Sequence, residues 1–258
     1  MLIVLSPAKT MDFAPHDLKA SSVADFLATS DNLIDNLRKK TPEDLSALMG
    51  VSPKIAQLNV DRFHSYEPPT SIGPDVKQAL FAFKGDVYKD WPLSDYTKDD
   101  LAFAQDHLRI LSGLYGLLRP LDLIRPYRLE MGTPLETNEG KGLYRFWGSQ
   151  LTDSVNTHMR TMDTPFLVNL ASNEYFKALK KKELEVPIVT PTFKDWKNGQ
   201  YKMISFFAKR ARGAMAHYLL KERVTSPEGL LKFTGLGYAY SPEGSTPEAP
   251  LFLRKATA

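Results

Sequence analysis

The segment MLIVLSPAKT, Met1 to Thr10, sets the fold class of this chain. The apolar run Leu2–Leu5 ends at a Ser-Pro pair, and a short apolar run bounded by a turn signal is typical of a buried strand. FLVNL (Phe166–Leu170) and Lys202–Phe206 repeat the pattern, each followed by polar residues and helical spacing. Buried strands that alternate with helices indicate α/β organisation. We therefore predict an α+β fold in which helices surround a mixed β-sheet.

Further elements follow from local spacing and capping signals. Apolar residues at helical spacing predict helices over Val23–Arg38 and Asp75–Phe83. Thr97 three residues before Asp100 resembles a capping box and opens a helix, whose apolar face is predicted to extend through Leu108 and Leu111. The loop-rich tail can add one edge strand at Leu251–Leu253.

Composition restricts the class of protein. The chain has 258 residues, of which 43% are hydrophobic and 24% charged, so we predict one globular domain over residues 1–258. The sequence lacks both a membrane-length apolar run and a signal-peptide pattern, which predicts a cytoplasmic protein. It contains no cysteine, which excludes disulfides and thiolate metal sites. The five histidines lack metal-ligand spacing, and we predict neither a metal nor a cofactor.

Basic residues are unevenly distributed, although the net charge is only +3. Between Lys177 and Arg212 there are ten basic residues and three acidic ones. Local clustering of this kind, rather than net charge, creates a field that attracts anions. This stretch is therefore a candidate for contact with a polyanion.

The segment LSALMGVSPKIA, Leu45–Ala56, matches a helix-hairpin-helix pattern within a module over about 41–64. Its turn offers backbone amides and a helix N-terminus to a phosphate, and Lys54 adds a cation. Serine replaces the usual second glycine of the turn, and an ordinary helical corner is the alternative interpretation. The predicted phosphate contacts of the turn are Gly50, Val51, Ser52 and Lys54.

Arginines and lysines in two other segments are candidate DNA contacts. Pro120 and Pro126 break any helix, so the arginines around them are predicted to lie on turns and to converge on a cleft. The alternative is structural pairing with Asp122 and Glu130. A second cluster is predicted in the first turns of the helix within Tyr201–Leu220, with a solvated charged face as its alternative. The predicted cleft residues are Arg109, Arg119, Arg125, Arg128, Lys209, Arg210 and Arg212.

Polar residues at the ends of predicted strands suggest a ligand site, because open α/β sheets bind ligands there. Lys9 follows the first strand and can contact a phosphate. The rival hypothesis is an enzyme that acts on a nucleotide or a phosphorylated small molecule in the same cleft. Asp86 or Glu174 would then be the acid-base residue. The alternative pocket consists of Ser6, Asp86, Asn169, Asn173 and Glu174, with Lys9 beside them.

Several segments together resemble the YaaA family, and the resemblance spans nearly the whole chain. They are SPAKT, the Gly50 hairpin, FKGDVY (Phe83–Tyr88), LSGLYGLLRPLDLIRPYRLEMG (Leu111–Gly132), LYRFWG (Leu143–Gly148), NLASNEYFK (Asn169–Lys177) and ISFFAKRARG (Ile204–Gly213). The resemblance implies a family-specific α+β fold with a helix-hairpin-helix and a basic cleft. It also implies a role in peroxide resistance, recombination repair and restraint of free iron.

These observations lead to a prediction of sequence-independent DNA binding through backbone phosphates. The predicted partner is duplex DNA or a repair intermediate, and neither a membrane nor a protein partner is predicted. Catalysis stays open at this stage.

Overall fold

Strands and helices interleave along residues 1–163 and 165–255, which the computed structural model describes. The strands are β1 (Leu2–Leu5), β2 (Thr10–Met11), β3 (Lys77–Gln78), β4 (Phe83–Lys84), β5 (Leu108–Ser112), β6 (Gly116–Leu118), β7 (Leu123–Ile124), β8 (Glu136–Thr137), β9 (Gly140–Lys141), β10 (Leu167–Leu170), β11 (Ile188–Val189), β12 (Thr192–Lys197), β13 (Gln200–Lys202), β14 (Ala239–Thr246) and β15 (Ala249–Arg254). The helices are α1 (Leu27–Leu37), α2 (Pro42–Met49), α3 (Pro53–His64), α4 (Ala79–Ala82), α5 (Lys98–His107), α6 (Leu143–Trp147), α7 (Gln150–Met159), α8 (Asn173–Phe176), α9 (Ser205–Lys221) and α10 (Pro227–Leu230).

The principal sheet has the order β11-β10-β1-β5-β6. β1 pairs in parallel with both β10 and β5, and β6 returns antiparallel beside β5. All four residues of β1 are fully buried, as expected for a parallel strand covered on both faces. The predicted strands at the start of the chain and at Phe166–Leu170 are confirmed, and so is the α+β class with a mixed sheet.

A second sheet has the order β13-β12-β15-β14, and α9 connects it to the first. α9 contacts β12 of this sheet and also β1 and β10 of the principal sheet. The inner face of the second sheet is aromatic. The centroid of the Phe193 ring lies 5.5 Å from that of Phe252 and 5.3 Å from that of Tyr238. Apolar side chains from both sheets form one buried core.

Two predicted strands differ from the structure in extent or position. The segment Lys202–Phe206 is not a buried strand, because β13 ends at Lys202 and α9 begins at Ser205. β15 includes the predicted strand Leu251–Leu253, but it lies between β12 and β14 and is therefore not an edge. A central position explains why Phe252 is fully buried.

Two predicted helices also need correction. The capping box of Thr97 and Asp100 is confirmed, but α5 ends at His107 and Leu108 begins β5. Periodicity could not separate these elements, because a buried strand and the buried face of a helix both place leucines close together. The predicted helix over Asp75–Phe83 is reduced to α4, whereas α1 lies within its predicted range.

None of the helices in the described ranges is both long and apolar enough to span a lipid bilayer.

Candidate functional site: a cationic cavity at the strand ends

A cavity of about 510 Å³ opens at the carboxyl ends of β1 and β10. In the sheet, β5 lies on one side of β1 and β10 on the other side. The carboxyl ends of β1 and β10 therefore form a topological switch point. A crevice opens at such a point because the connections leave in opposite directions. The loop Lys84–Val87, the loop Tyr127–Glu130 and the start of α9 complete the walls.

Ser6 and Ser172 join the two strand ends at the base of this cavity. The backbone amide of Ser172 donates to Ser6 Oγ at 2.8 Å, and Ser6 Oγ lies 3.3 Å from Ser172 Oγ. Tyr88 Oη donates to the Ser6 carbonyl oxygen at 2.8 Å. These bonds hold the backbone that follows β1 in a fixed position.

Two phenol side chains line the cavity beside these serines. Tyr127 is fully within the core and shares a 2.6 Å hydrogen bond with Ser112. Burial raises the pKa of Tyr127 and of Tyr175 well above the usual range for a phenol. Both rings are therefore neutral near pH 7, and neither offsets the positive charge in the cavity.

Lys9 and Arg128 share one carboxylate at the cavity wall. Lys9 Nζ lies 3.0 Å from Glu130 Oε1, and Arg128 Nη2 lies at the same distance from that oxygen. Two cations against one carboxylate leave a surplus of positive charge. The Lys9 side chain is 62% exposed, so it can turn toward a ligand without unpacking.

Arg212 and Lys209 contribute positive charge from α9, three residues apart and so on one face of the helix. Neither forms an ion pair or side-chain hydrogen bond within the described part of the chain. Burial lowers the pKa of Arg212, because its guanidinium has lost water without gaining a carboxylate. An anion that entered the cavity would compensate this loss.

Two carboxylates also face the cavity, as the alternative pocket required. Glu174 Oε1 accepts the Gly132 amide at 3.0 Å, and Asp86 lies on the opposite loop. With Glu130 they make three carboxylates against five cations, namely Lys9, Lys84, Arg128, Lys209 and Arg212.

Two predicted pocket residues lie outside the cavity lining. The Asn169 side chain is buried, and its Oδ1 accepts the Ala171 amide at 3.1 Å. It therefore shapes the chain after β10. Asn173 begins α8 and is exposed, although Ser172 and Glu174 on either side of it line the cavity.

Four of the predicted cleft arginines are placed elsewhere. Arg109 is buried in β5, where it donates to the carbonyl oxygens of Gln105 and Leu108, and burial lowers its pKa to about 10. The other three form ion pairs: Arg119 with Asp25 and Asp122 at 3.1 and 3.0 Å, Arg125 with Glu67 at 3.7 Å, and Arg210 with Asp90 at 2.8 Å. The alternative of structural pairing with Asp122 and Glu130 therefore describes Arg119 and also Arg128 correctly.

Lys84, Tyr127 and Tyr175 also line the cavity, and none of the three was predicted from the sequence. Lys84 lies within FKGDVY, and its Nζ lies 3.9 Å from an Asp12 carboxylate oxygen. The signal available was its position directly before Gly85, where a loop could approach α9. The pairing of β4 with β2 and the hydrogen bond from Tyr88 to Ser6 bring that loop to the end of β1.

The turn at Gly50 joins two packed helices at the surface. Thr41 and Asp44 cap α2 reciprocally, and Gly50 ends it in the left-handed conformation with φ 61° and ψ 41°. Ser52 takes the N-cap position of α3, but its side chain makes no capping hydrogen bond. The first amides of α3 are consequently uncapped, and Lys54 is exposed beside them. DNA contact by this turn stays a prediction.

Donors and cations of this kind suit an oxyanion such as phosphate, because guanidinium and ammonium groups donate to its oxygens. Within the described ranges, no three His, Asp or Glu side chains are grouped closely enough to hold a metal ion.

The fold and cavity define a mixed α+β protein with a cationic site at the carboxyl ends of parallel strands. The family described as peroxide stress protein YaaA matches residues 1–244, and the chain belongs to that family. A UPF0246 protein of Shewanella oneidensis is 54% identical over 257 residues, which cover 99% of this chain and 100% of that protein. A UPF0246 protein of Shewanella sp. strain W3-18-1 is 53% identical with the same coverage.

Proposed function

We propose that this peroxide stress family member is a cytoplasmic protein that binds DNA through backbone phosphates without reading the bases. The observation that carries the proposal is the uncompensated charge of Arg212 and Lys209 in a cavity that also collects Lys9 and Arg128. Segments far apart in the sequence converge there. We assign this binding to DNA repair during peroxide stress, together with restraint of free intracellular iron.

Phosphate is the ligand class that these side chains recognise best. A guanidinium can donate two parallel hydrogen bonds to a phosphate, and a half-buried guanidinium does so in a medium that screens charge less than water. Base edges are not needed for such contacts, so affinity is independent of sequence.

The Gly50 turn supplies a second set of phosphate contacts in this proposal. Its support is the uncapped start of α3, where backbone amides and the helix dipole favour an anion. Lys54 adds a mobile cation at the same end. The serine at position 52 keeps the cap conformation, with φ −64° and ψ 155°, so the glycine-to-serine change leaves the turn intact.

The test is the salt dependence of binding to a fluorescently labelled duplex, measured by anisotropy. Loss of one phosphate contact reduces the slope of log affinity against log salt by about 0.9. Arg212→Met should show that decrease and weaker binding. Arg160→Met is the matched control, because Arg160 is an exposed arginine outside the cavity lining and pairs with Glu185. Equal slopes for wild type and Arg212→Met would reject the phosphate contact.

A second candidate function is an enzyme acting on a nucleotide or a phosphorylated small molecule. The observation that favours it is the set Ser6, Ser172 and Glu174 at the strand ends, in a cavity whose size suits a small ligand. A thermal-shift comparison distinguishes the candidates. A larger stabilisation by mononucleotides than by duplex at equal phosphate concentration would favour the enzyme.

A further inference from the structure

The outer face of the second sheet carries an aromatic pair, an exposed tryptophan beside a half-buried tyrosine. Trp196 on β12 lies opposite Tyr201 on β13, and their ring centroids are 5.0 Å apart at 71°. Trp196 is 41% exposed, whereas the other two tryptophans, Trp91 and Trp147, are 7% and 0% exposed. Side chains alternate between faces along a strand, so the buried neighbour Asp195 points toward the core and Trp196 away from it.

Two lysines lie beside this pair. Lys255 Nζ lies 5.4 Å from the Trp196 ring centroid, and Lys194 lies on the same face two residues earlier on β12. Lys197 and Lys202 lie on the same hairpin, but the alternation along the strands places them on the opposite face from Trp196 and Tyr201. None of the four lysines forms an ion pair among the residues that the structure describes.

The carboxylate of Asp195, next to Trp196 on β12, does not neutralise them. Asp195 accepts hydrogen bonds on the inner face from Arg254 Nε at 2.6 Å and from Tyr238 Oη at 2.9 Å. The outer face therefore combines a partly exposed indole with positive charge that no carboxylate of the described residues neutralises. We call the set Lys194, Trp196, Tyr201 and Lys255 the stacking face.

We propose that the stacking face binds an unpaired segment of single-stranded nucleic acid, with a base stacked on Trp196 and neighbouring phosphates held by the lysines. Every base has a π face, so an aromatic ring binds unpaired bases with little sequence preference, and lysines hold the backbone on either side. Paired bases cannot offer their faces, because they are already stacked in the duplex. This inference extends the proposed DNA binding to strands opened during repair, at a surface separate from the cavity.

Charge and shape favour this occupant over a lipid surface. Insertion into a bilayer needs an apolar tip, but the turn of this hairpin consists of Lys197, Asn198, Gly199 and Gln200. Met203 and Phe206 are exposed at 56% and 45%, and they follow the hairpin rather than forming its tip. They can extend the apolar surface along which a strand runs.

The test uses the full chain and a labelled thymidine oligonucleotide of about fifteen nucleotides, within the range of known single-strand sites. Trp196→Ala should weaken oligonucleotide binding roughly 5- to 150-fold, the equivalent of one stacked base, and leave duplex affinity nearly unchanged. Trp196→Phe keeps a stacking ring and should bind within about threefold of wild type. Ile72→Ala removes an apolar side chain that is 42% exposed and serves as the control.

Intrinsic fluorescence gives an independent readout. Since Trp91 and Trp147 are buried, oligonucleotide binding should quench the emission of Trp196. Trp196→Phe should bind but show no such quenching.

Three outcomes would overturn the inference. They are unchanged oligonucleotide affinity in Trp196→Ala, a Trp196-dependent dimer of this chain in sedimentation, or Trp196-dependent binding to vesicles of anionic phospholipid in place of the oligonucleotide. Failure of the proposed function would give a different result. Arg212→Met would then bind the duplex as wild type does, whereas Trp196→Ala would still bind the single-stranded oligonucleotide more weakly.

Discussion

Replacing Arg212 with methionine should stabilise the ligand-free protein while weakening anion binding. Methionine keeps an aliphatic stem for packing but removes a half-buried charge that has no counter-ion in the described residues. A fully buried unpaired ion costs several kcal/mol, so the partial burial here suggests a gain of about 1 kcal/mol. For a domain of this size that gain corresponds to a rise in Tm of roughly 2–4 °C.

Without phosphate the Arg212→Met variant is expected to be more stable than wild type, and phosphate should reverse this order. At a concentration of 100 times Kd, a ligand stabilises the folded protein by about 2.7 kcal/mol. A hydrogen bond to a charged group contributes about 1.5–3 kcal/mol, so its loss in Arg212→Met weakens phosphate binding at least tenfold. At the same phosphate concentration, the variant is therefore stabilised by at most about 1.4 kcal/mol. The substitution is thus expected to raise the stability of the ligand-free protein and to lower its stabilisation by phosphate. Opposite signs of these two effects distinguish a binding residue from a structural one.

The assay is thermal unfolding of wild type and Arg212→Met in a phosphate titration, with chloride added to equalise ionic strength. Arg160→Met controls for the loss of one surface cation, and its Tm in the absence of phosphate should change little. A variant less stable than wild type without phosphate, and equally stabilised by phosphate, would refute the reasoning about Arg212.

Three further predictions concern the packing of Gly213, the turn at Gly50 and the ion pair of Asp100. Gly213→Ala should unfold at a denaturant concentration well below wild type and lose about 3 kcal/mol or more, because a Cβ would overlap the Val87 carbonyl oxygen; an unchanged midpoint would contradict this packing. Gly50→Val should lower duplex affinity and cost about 1–2 kcal/mol, since the left-handed turn disfavours a branched side chain although the space is open. Asp100→Asn should destabilise the protein at pH 7, because the Lys221 ammonium holds the pKa of Asp100 well below its usual range. The stability that Asp100 contributes is present above the unfolded pKa near 4 and is lost as pH falls further, so unfolding curves of wild type and variant should converge in acid.

Local signals predicted the parts of the fold that local chemistry determines. The apolar run that forms β1 and the capping box at Thr97 each depend on neighbouring residues, and both are confirmed. The boundary between α5 and β5 depends on tertiary pairing with β1, which no local pattern contains. The burial of Arg109 also depends on tertiary pairing, because β5 lies between β1 and β6 in the principal sheet.

Pairing of cations with carboxylates was equally inaccessible from sequence. Arg125 contacts Glu67, 58 residues earlier, and no local pattern links the two positions. Segment charge therefore overestimated the number of arginines available to a ligand.

The arginines and lysine of α9 show where sequence reasoning could have gone further. Residues three apart on a helix share a face, whereas adjacent residues differ by about 100°. Lys209 and Arg212 accordingly face the cavity together, while Arg210 turns aside and forms two hydrogen bonds with Asp90. α9 is 17 residues long and begins at Ser205, so the spacing of residues around the helix is enough to separate Lys209 and Arg212 from Arg210. A basic cluster on a helix is thus better described by the faces it occupies than by its total charge. Here that division separates the residue that anchors the Asp90 loop from the two that an anion would contact.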